Sequence, residues 1–178
     1  MKKLKTLLAA FMLLMLFTFS QCKKHKDEPK LPPETTTGAM TFGCKVNGKA
    51  FVPKDGRGKP GLYCQYANLG TGPGGGWYLN IPAIDQIPAN SVGINIATDS
   101  LFVLEATQYQ FGIGKGLAKV RYYEGVDSYP KGANDTGSLF ITRHDTILRI
   151  LSGKFSFTGT NTNGIKISVT EGRFDIRY

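Results

Sequence analysis

Few residues of this chain combine the types and the spacing that catalysis requires. His144 is followed directly by Asp145, but adjacent residues of a strand point to opposite faces, and the segment Arg143–Thr146 has the position of a turn. We therefore predict that His144 is a solvated loop residue. The chain contains no Gly-x-Ser-x-Gly elbow, paired-histidine motif or calcium-loop spacing. These residue types favour a protein without enzymatic activity, and a hydrolase with an unrecognised site is the weaker alternative.

Two loop segments contain groups that bind ions in other proteins. Glu124, Asp127 and Asp135 are close in the sequence, but their spacing matches no metal-binding motif, so we interpret them as exposed turn carboxylates. The glycine-rich run Gly70–Gly76 lacks the Lys-Ser/Thr ending and the following helix of a phosphate-binding loop. We predict a mobile surface loop there, and we expect no metal or other cofactor.

Cys44 and Cys64 lie in phase with the apolar residues of two predicted strands, so both side chains should point inward. A disulfide between them is compatible with an exported domain, which meets oxidising conditions. Two separate buried thiols are the alternative, because free cysteine is often buried. The distance between the two Cα atoms decides between these interpretations, and two thiols are too few ligands for a zinc site.

Four aromatic residues are candidates for ligand binding. Trp77 adjoins the glycine-rich run, and Tyr122, Tyr123 and Tyr129 surround the loop 124–132. Because Tyr122 and Tyr123 are neighbours on a predicted strand, one should face outward if the other faces inward. An exposed aromatic ring beside loops can stack on a sugar. The alternative interpretation is that these rings pack in a β core and at strand edges.

Strands must position these side chains, because apolar residues alternate along most of the chain and no segment shows a convincing helical period. Asn47-Gly48 is typical of a tight hairpin turn. The apolar phase shifts by one residue at Gly153 and at Gly172, which predicts β-bulges there. About nine or ten short strands predict an antiparallel β-sandwich over residues 40–178, with a closed or partly open barrel as the alternative.

The first residues have the pattern of an export signal. Three lysines precede a run of 13 residues, Leu7–Phe19, that is apolar except for Thr18. As a helix this run is about 20 Å long, which is shorter than a hydrocarbon core of about 30 Å. We therefore predict a signal peptide over residues 1–21 rather than a membrane-spanning helix.

Cys22 follows the apolar run and precedes a polar segment, an arrangement that resembles a bacterial lipobox. The resemblance implies that Cys22 becomes the mature N-terminus and carries lipid, with ordinary signal cleavage as the alternative. Lys26-Asp27-Glu28 resembles the short signal that sends such lipoproteins to the outer face of the outer membrane. Residues 22–39 are thus predicted to be the lipid-attachment cysteine and a flexible tether. We expect anchoring in the outer membrane facing the cell exterior, with the periplasmic face as the alternative.

The formal charge of +9 does not indicate a nucleic-acid partner. The chain has 22 basic and 13 acidic residues, but seven of the lysines belong to the predicted signal and tether. The remaining domain has 15 basic and 10 acidic residues, and the basic ones are scattered along it. A nucleic-acid-binding protein shows clustered basic residues or a recognisable reading motif. We therefore expect no nucleic acid among the partners.

Three motifs resemble an uncharacterised domain family of Bacteroidota-type outer-membrane lipoproteins: Thr41–Gly48, Gly153–Thr158 and Thr170–Ile176. The resemblance covers nearly the whole predicted mature chain and supplies no catalytic residues. Together with the export signal it implies a lipid-anchored binding or interaction module of the cell envelope. The expected partner is a glycan or a protein at the cell surface, and an envelope-assembly or accessory subunit is the alternative.

Overall fold

The computed structural model describes residues 29–87, 91–132 and 135–178, which form eleven strands and contain no helix. The predicted signal peptide, Cys22 and the Lys26-Asp27-Glu28 motif lie outside the described residues. In chain order, the strands are β1 (Thr41–Val46), β2 (Lys49–Phe51), β3 (Gln65–Asn68), β4 (Trp77–Asp85), β5 (Val92–Thr98), β6 (Thr107–Gln110), β7 (Ala118–Glu124), β8 (Asp127–Pro130), β9 (Gly137–Asp145), β10 (Ile150–Thr160) and β11 (Lys166–Arg177).

These strands form two antiparallel sheets. The first sheet has six strands in the order β2-β1-β11-β10-β9-β6, and the second has five in the order β3-β4-β5-β7-β8. Neither sheet closes on itself, because the strands at its two edges do not pair with each other. The predicted all-β sandwich is therefore confirmed, and the barrel alternative is wrong.

The core lies between the two sheets, where alternate residues of each strand point inward. In β4, Leu79, Ile81 and Ala83 are almost completely buried, and in β10 Phe155 and Phe157 face them across the core. Each of these side chains removes apolar surface from water, which contributes about 1.5–3 kcal/mol for a fully buried Leu, Ile or Phe. This alternation leaves one outer face on each sheet.

Two glycines sit where the strand register shifts, as the apolar phase predicted. The register of β11 shifts against β10 opposite Gly172, and the register of β9 shifts against β10 beside Gly153. A Cβ atom at Gly172 would lie 2.5 Å from the Phe155 carbonyl oxygen, and one at Gly153 would lie 2.7 Å from the Phe174 ring. Close approach of neighbouring groups therefore requires glycine at both bulges.

The segment before β1 is packed on the outer face of the first sheet, which differs from the flexible tether expected up to residue 39. We call residues 31–39 the strap. A Cβ atom at Gly43 would lie only 2.5 Å from the Pro32 ring, so the strap runs close over β1. Glu34 forms an ion pair with Lys154 of β10 at 2.5 Å. The packed domain therefore begins before residue 40.

Asp175 of β11 holds the strap through hydrogen bonds. The backbone N–H groups of Gly38 and Thr37 donate to its carboxylate at 2.7 and 2.9 Å, and the Thr35 hydroxyl donates at 2.7 Å. From the neighbouring strand β10, the Ser152 hydroxyl donates to the Asp175 carboxylate at 2.8 Å. Burial by itself raises the pKa of Asp175, but these hydrogen bonds to the carboxylate outweigh burial and lower the pKa to about 2.

Candidate functional site

Three of the four candidate aromatic residues belong to the core. Tyr122 and Tyr129 are only 5% and 7% exposed, and their ring centroids are 5.6 Å apart. Trp77 is half-buried against Tyr66, with a centroid distance of 4.9 Å. Burial therefore excludes Tyr122 and Tyr129 as a platform, and the Trp77 ring packs against Tyr66 and Phe102 at the core side of β4. The fourth, Tyr123, is half-exposed on the opposite side of β7 from Tyr122.

Tyr123 lies on the outer face of the second sheet and crosses the neighbouring strand. It pairs with Gly93 of β5, which in turn pairs with Ile84 of β4. A Cβ atom at Gly93 would collide with the phenol end of the Tyr123 ring, so only glycine leaves the ring room to lie over β5. A ring that lies along a sheet presents one face to solvent. This is the geometry expected of a stacking platform.

Two grooves meet at Tyr123. The first, which we call the Arg121 groove, has a volume of about 680 Å³ and runs over β5 and β7. Its lining consists of Asn95, Ala97, Gly112, Ile113, Lys119, Val120, Arg121, Tyr123, Pro130 and Lys131. The second, the Tyr63 groove, has a volume of about 440 Å³ and lies towards β4. Its lining consists of Lys59, Pro60, Tyr63, Ile84, Gln86, Ser91 and Tyr123. Tyr123 is common to both.

Tyr63 is the second aromatic residue on this face. Its side chain is 41% exposed, and it lies in the segment that leads into β3. Burial, together with the neighbouring Tyr63 hydroxyl, raises the pKa of Tyr123. The Tyr123 phenol is therefore a neutral hydrogen-bonding group near neutral pH.

The Arg121 groove is rich in hydrogen-bond donors. Lys119 and Arg121 are two residues apart on β7, so both point to the outer face. The amide of Asn95 donates to the Asn80 side-chain oxygen at 2.9 Å, which fixes its orientation on the floor of the groove. No carboxylate occurs among the described residues that line either groove. The arrangement combines an aromatic face with fixed amides and basic groups.

The period of β7 in the sequence is itself a signal for this face. Lys119, Arg121 and Tyr123 alternate with inward-pointing residues along β7, so their shared face follows from the strand period. By contrast, Lys131 and Tyr63 reach the grooves from other segments. Only sheet pairing brings them to Tyr123.

His144 is not the solvated loop residue that the sequence predicted. Strand β9 continues through Asp145, and the turn falls at residues 146–149 instead. The His144 ring is half-buried, with its Nδ1 atom 2.7 Å from the Val103 carbonyl oxygen and its Nε2 atom 3.0 Å from the Tyr178 hydroxyl. It also packs edge-on against the Tyr66 ring at 5.2 Å. Both ring nitrogens thus serve to tie loop 99–106 and the end of β11 to the sheet.

The two cysteines of the domain are free thiols. Cys44 is buried and Cys64 is half-buried, and burial raises the pKa of each thiol to about 12. They belong to different sheets, since Cys44 is part of β1 and Cys64 directly precedes β3. Of the two interpretations of the sequence, the structure therefore has the separate thiols and not the disulfide, and thiols with such a high pKa are poor nucleophiles.

The three loop carboxylates have different environments. Glu124 and Asp127 are exposed, as predicted, but Asp135 is only 7% exposed. Asp135 accepts hydrogen bonds from the Gly132 backbone N–H at 2.9 Å and from the Thr160 hydroxyl at 3.0 Å. Its burial reflects this structural role, which sequence spacing did not reveal. Within the described part of the chain, no three His, Cys, Asp or Glu side chains form a group that could hold a metal ion.

The glycine-rich run forms a hydrogen-bonded loop beside the aromatic cluster of Tyr66 and Trp77. The Gly76 backbone N–H donates to the Gly70 carbonyl at 2.8 Å, and the Ser100 hydroxyl donates to the Gly75 carbonyl at 2.6 Å. This loop lines neither the Arg121 groove nor the Tyr63 groove. It therefore does not contribute to the candidate site.

Comparison of the chain with protein-family models, with curated proteins and with solved structures gives no match. The resemblance to an uncharacterised lipoprotein family remains a prediction. Among the described residues, no helix has the length and apolarity that a membrane crossing requires. Support for a function therefore comes from the geometry of the outer face of the second sheet.

Proposed function

We propose that this protein is a lipid-anchored module of the cell envelope that binds a glycan on the outer face of its second sheet. The observation that carries the proposal is the Tyr123 ring, which lies over Gly93 between two grooves. The apolar face of a sugar ring stacks on such a surface, while the sugar hydroxyls need hydrogen-bonding partners at its edge. Asn95 and Tyr63 offer such partners beside Tyr123.

The rigidity of the site also supports binding. Tyr123 and Asn95 both lie within paired strands rather than on loops, so little conformational entropy is lost when a ligand orders them. The grooves form a continuous surface on either side of one ring, which suits an extended chain better than a compact molecule. A polysaccharide segment that crosses Tyr123 fits this shape.

The two outer faces of the sandwich differ in a way that supports this choice. The strap covers part of the first sheet through Asp175 and Lys154. The two grooves of the second sheet, of about 680 and 440 Å³, are larger than two grooves on the first sheet, of about 350 and 210 Å³. Stacked sheets are about 10 Å apart, so a ligand on the second sheet does not compete with the strap. A tether that begins at Cys22 thus joins the domain on the side away from the grooves.

A protein partner is the second candidate, and exposed apolar residues at one end of the sandwich favour it. Ile147 and Leu148 in the turn 146–149 are 91% and 54% exposed, and Leu104 in the neighbouring loop is 55% exposed. The backbone N–H of His144 donates to the Glu105 carboxylate at 2.9 Å, which brings the loop and this strand end together. Such a patch suits protein contact more than sugar binding.

A glycan array tests the proposal with the full chain in detergent. We expect binding to one or more polysaccharides, and Tyr123→Ala should weaken it by roughly tenfold or more, because a stacking contact of about 1.4 kcal/mol is lost. Tyr78→Ala is the matched control, since Tyr78 lies on β4 but lines neither groove. Equal affinity of the Tyr123→Ala variant and the unchanged protein would refute the proposed platform.

A further inference from the structure

We infer that the glycan is acidic and that Arg121 recognises its carboxylate or sulfate group. This inference rests on the proposed function, because it concerns the same groove. Three basic side chains converge there: Lys119 and Arg121 from β7, and Lys131 from the segment after β8. Residues scattered in the sequence are thus clustered on the surface. The arrangement produces a positive groove that the overall charge of the chain did not reveal.

Several basic groups elsewhere on the two sheets are neutralised by carboxylates. Lys45 pairs with Glu171 at 2.7 Å and Lys54 pairs with Asp85 at 3.1 Å. In the groove, Lys119 pairs with Asp99 at 2.6 Å. The ion pairs found among the described residues include neither Arg121 nor Lys131. Two positive charges in the groove are therefore available to an anionic ligand.

Arg121 is placed to read the charge of a sugar that stacks on Tyr123. The two residues are separated by two positions on the same face of β7, which corresponds to about 7 Å along the strand. This spacing suits one sugar ring on Tyr123 with its acidic substituent directed to Arg121. A guanidinium offers two parallel N–H donors to a carboxylate or sulfate, and this geometry is more selective than that of an ammonium group.

Lys131 adds a second charge close to Arg121, because it directly follows Pro130, the residue of β8 that pairs with Arg121. Its ammonium group donates to the Gly132 carbonyl at 3.1 Å, which holds the side chain near the loop. Its backbone N–H donates to the Val120 carbonyl at 3.4 Å, so this segment stays attached to β7. Repeated acidic groups along one polymer could therefore contact Arg121 and Lys131 together.

A pair of polymers that differ only in charge provides the test. The full chain in detergent is titrated with polygalacturonate and with its fully methyl-esterified form, after the glycan array has been probed with neutral, uronate and sulfated glycans. We expect acidic glycans to dominate the array and the uronate polymer to bind roughly tenfold or more tightly than its ester. Binding should weaken when NaCl is raised from about 0.1 M to about 1 M, which shortens the Debye length from about 10 Å to about 3 Å.

Variants assign the effect to Arg121. Arg121→Gln should abolish the preference for the uronate polymer, because a charged hydrogen bond is replaced by a neutral one. Arg121→Lys should restore part of it, since it retains the charge but loses the paired donors. Lys49→Gln is the matched control, because it removes one exposed charge from β2 in the other sheet. Circular dichroism and thermal unfolding verify that each variant is folded.

The outcomes separate this inference from the proposed function. If the ester binds as tightly as the uronate polymer while Tyr123→Ala still abolishes binding, the glycan platform stands and the acidic ligand is refuted. If no glycan on the array binds, both are refuted. Single-stranded DNA is the control for nonspecific binding of a polyanion, because its negative charges are on phosphates and not on sugar rings. Tighter binding of that DNA than of every acidic glycan also overturns the inference.

Discussion

The buried negative charge of Asp175 is stabilised by neutral hydrogen-bond donors rather than by a cation. Its side chain is 1% exposed, and its carboxylate oxygens accept hydrogen bonds from the strap and from Ser152. Hydrogen bonds to an ionised group contribute about 1.5–3 kcal/mol each, more than bonds between neutral groups. The carboxylate must be ionised to accept all of them, so this contact makes the stability of the domain depend on pH.

We predict that the free energy of unfolding falls in acid because of Asp175. Its pKa is about 2 in the folded chain and about 3.9 when unfolded. A lowered pKa means that the stabilisation is fully present above about pH 4 and is lost as the pH falls towards 2. Urea unfolding between these pH values, followed by the fluorescence of the single tryptophan, measures the effect.

Substitution of Asp175 provides the control for this prediction. Asp175→Asn should reduce stability at neutral pH by about 2–4 kcal/mol and flatten the acid dependence, because an amide offers one acceptor and sets an N–H₂ group against donors. Asp127→Asn, at an exposed position on β8, should change neither. An unaltered pH profile in Asp175→Asn would assign the acid sensitivity to other carboxylates.

Among the elements, the strap determines how far the domain would lie from a lipid on Cys22. From Cys22 to Leu31 the chain advances nine residues, which span at most about 30 Å when extended. The remaining residues up to Ala39 lie on the first sheet and accept contacts from it, including a hydrogen bond from Arg143 to the Thr36 carbonyl at 2.5 Å. A lipid on Cys22 would therefore keep the domain close to the membrane surface.

We predict that Gly43→Ala displaces the strap. The added Cβ atom would lie 2.5 Å from Pro32, a distance that forces the backbone of the strap to move. Trypsin should then cleave after Lys30 faster than in the unchanged protein, and the melting temperature should fall by a few degrees. Gly72→Ala is the matched control, because nothing lies within 4 Å of its added Cβ atom. Equal cleavage rates in the two variants would mean that the strap tolerates the methyl group.

The sequence is sufficient to predict the strands of the fold, but it predicts only part of the candidate site. The alternation of apolar residues in β4 and β10 identifies strands, since each buried side follows a period of two. The same period places Tyr122 and Tyr123 on opposite faces. It does not say which strands pair within a sheet, so it could not place Tyr63 and Lys131 beside Tyr123.

For the whole molecule, the proposed lipid on Cys22 would determine where the protein is located. Two or three acyl chains, at about 0.8 kcal/mol per buried methylene, make membrane attachment effectively permanent. We predict that Cys22→Ala releases the protein from the membrane fraction into the soluble fraction. Fractionation with immunoblotting measures this, and retention of the variant in the membrane would contradict lipidation. Protease treatment of whole cells then reports whether the unchanged protein faces the exterior.

The sequence alone determined the features that depend on local period and composition. These are the strands, the hairpin at Asn47-Gly48, and the bulges at Gly153 and Gly172. Local patterns suffice because a strand needs only alternation and a turn needs only residues that accept its dihedral angles. The inward orientation of Cys44 belongs to the same class.

Only the tertiary structure decided which residues share a surface. The His144 ring joins loop 99–106 to Tyr178, because β9 continues through His144 and places its ring nitrogens beside Val103 and Tyr178. Asp135 and Asp175 became buried because segments distant in sequence supply their donors. The basic groove formed from residues that are scattered along the chain, since strand pairing across a sheet depends on contacts between segments and not on the order of residues within one.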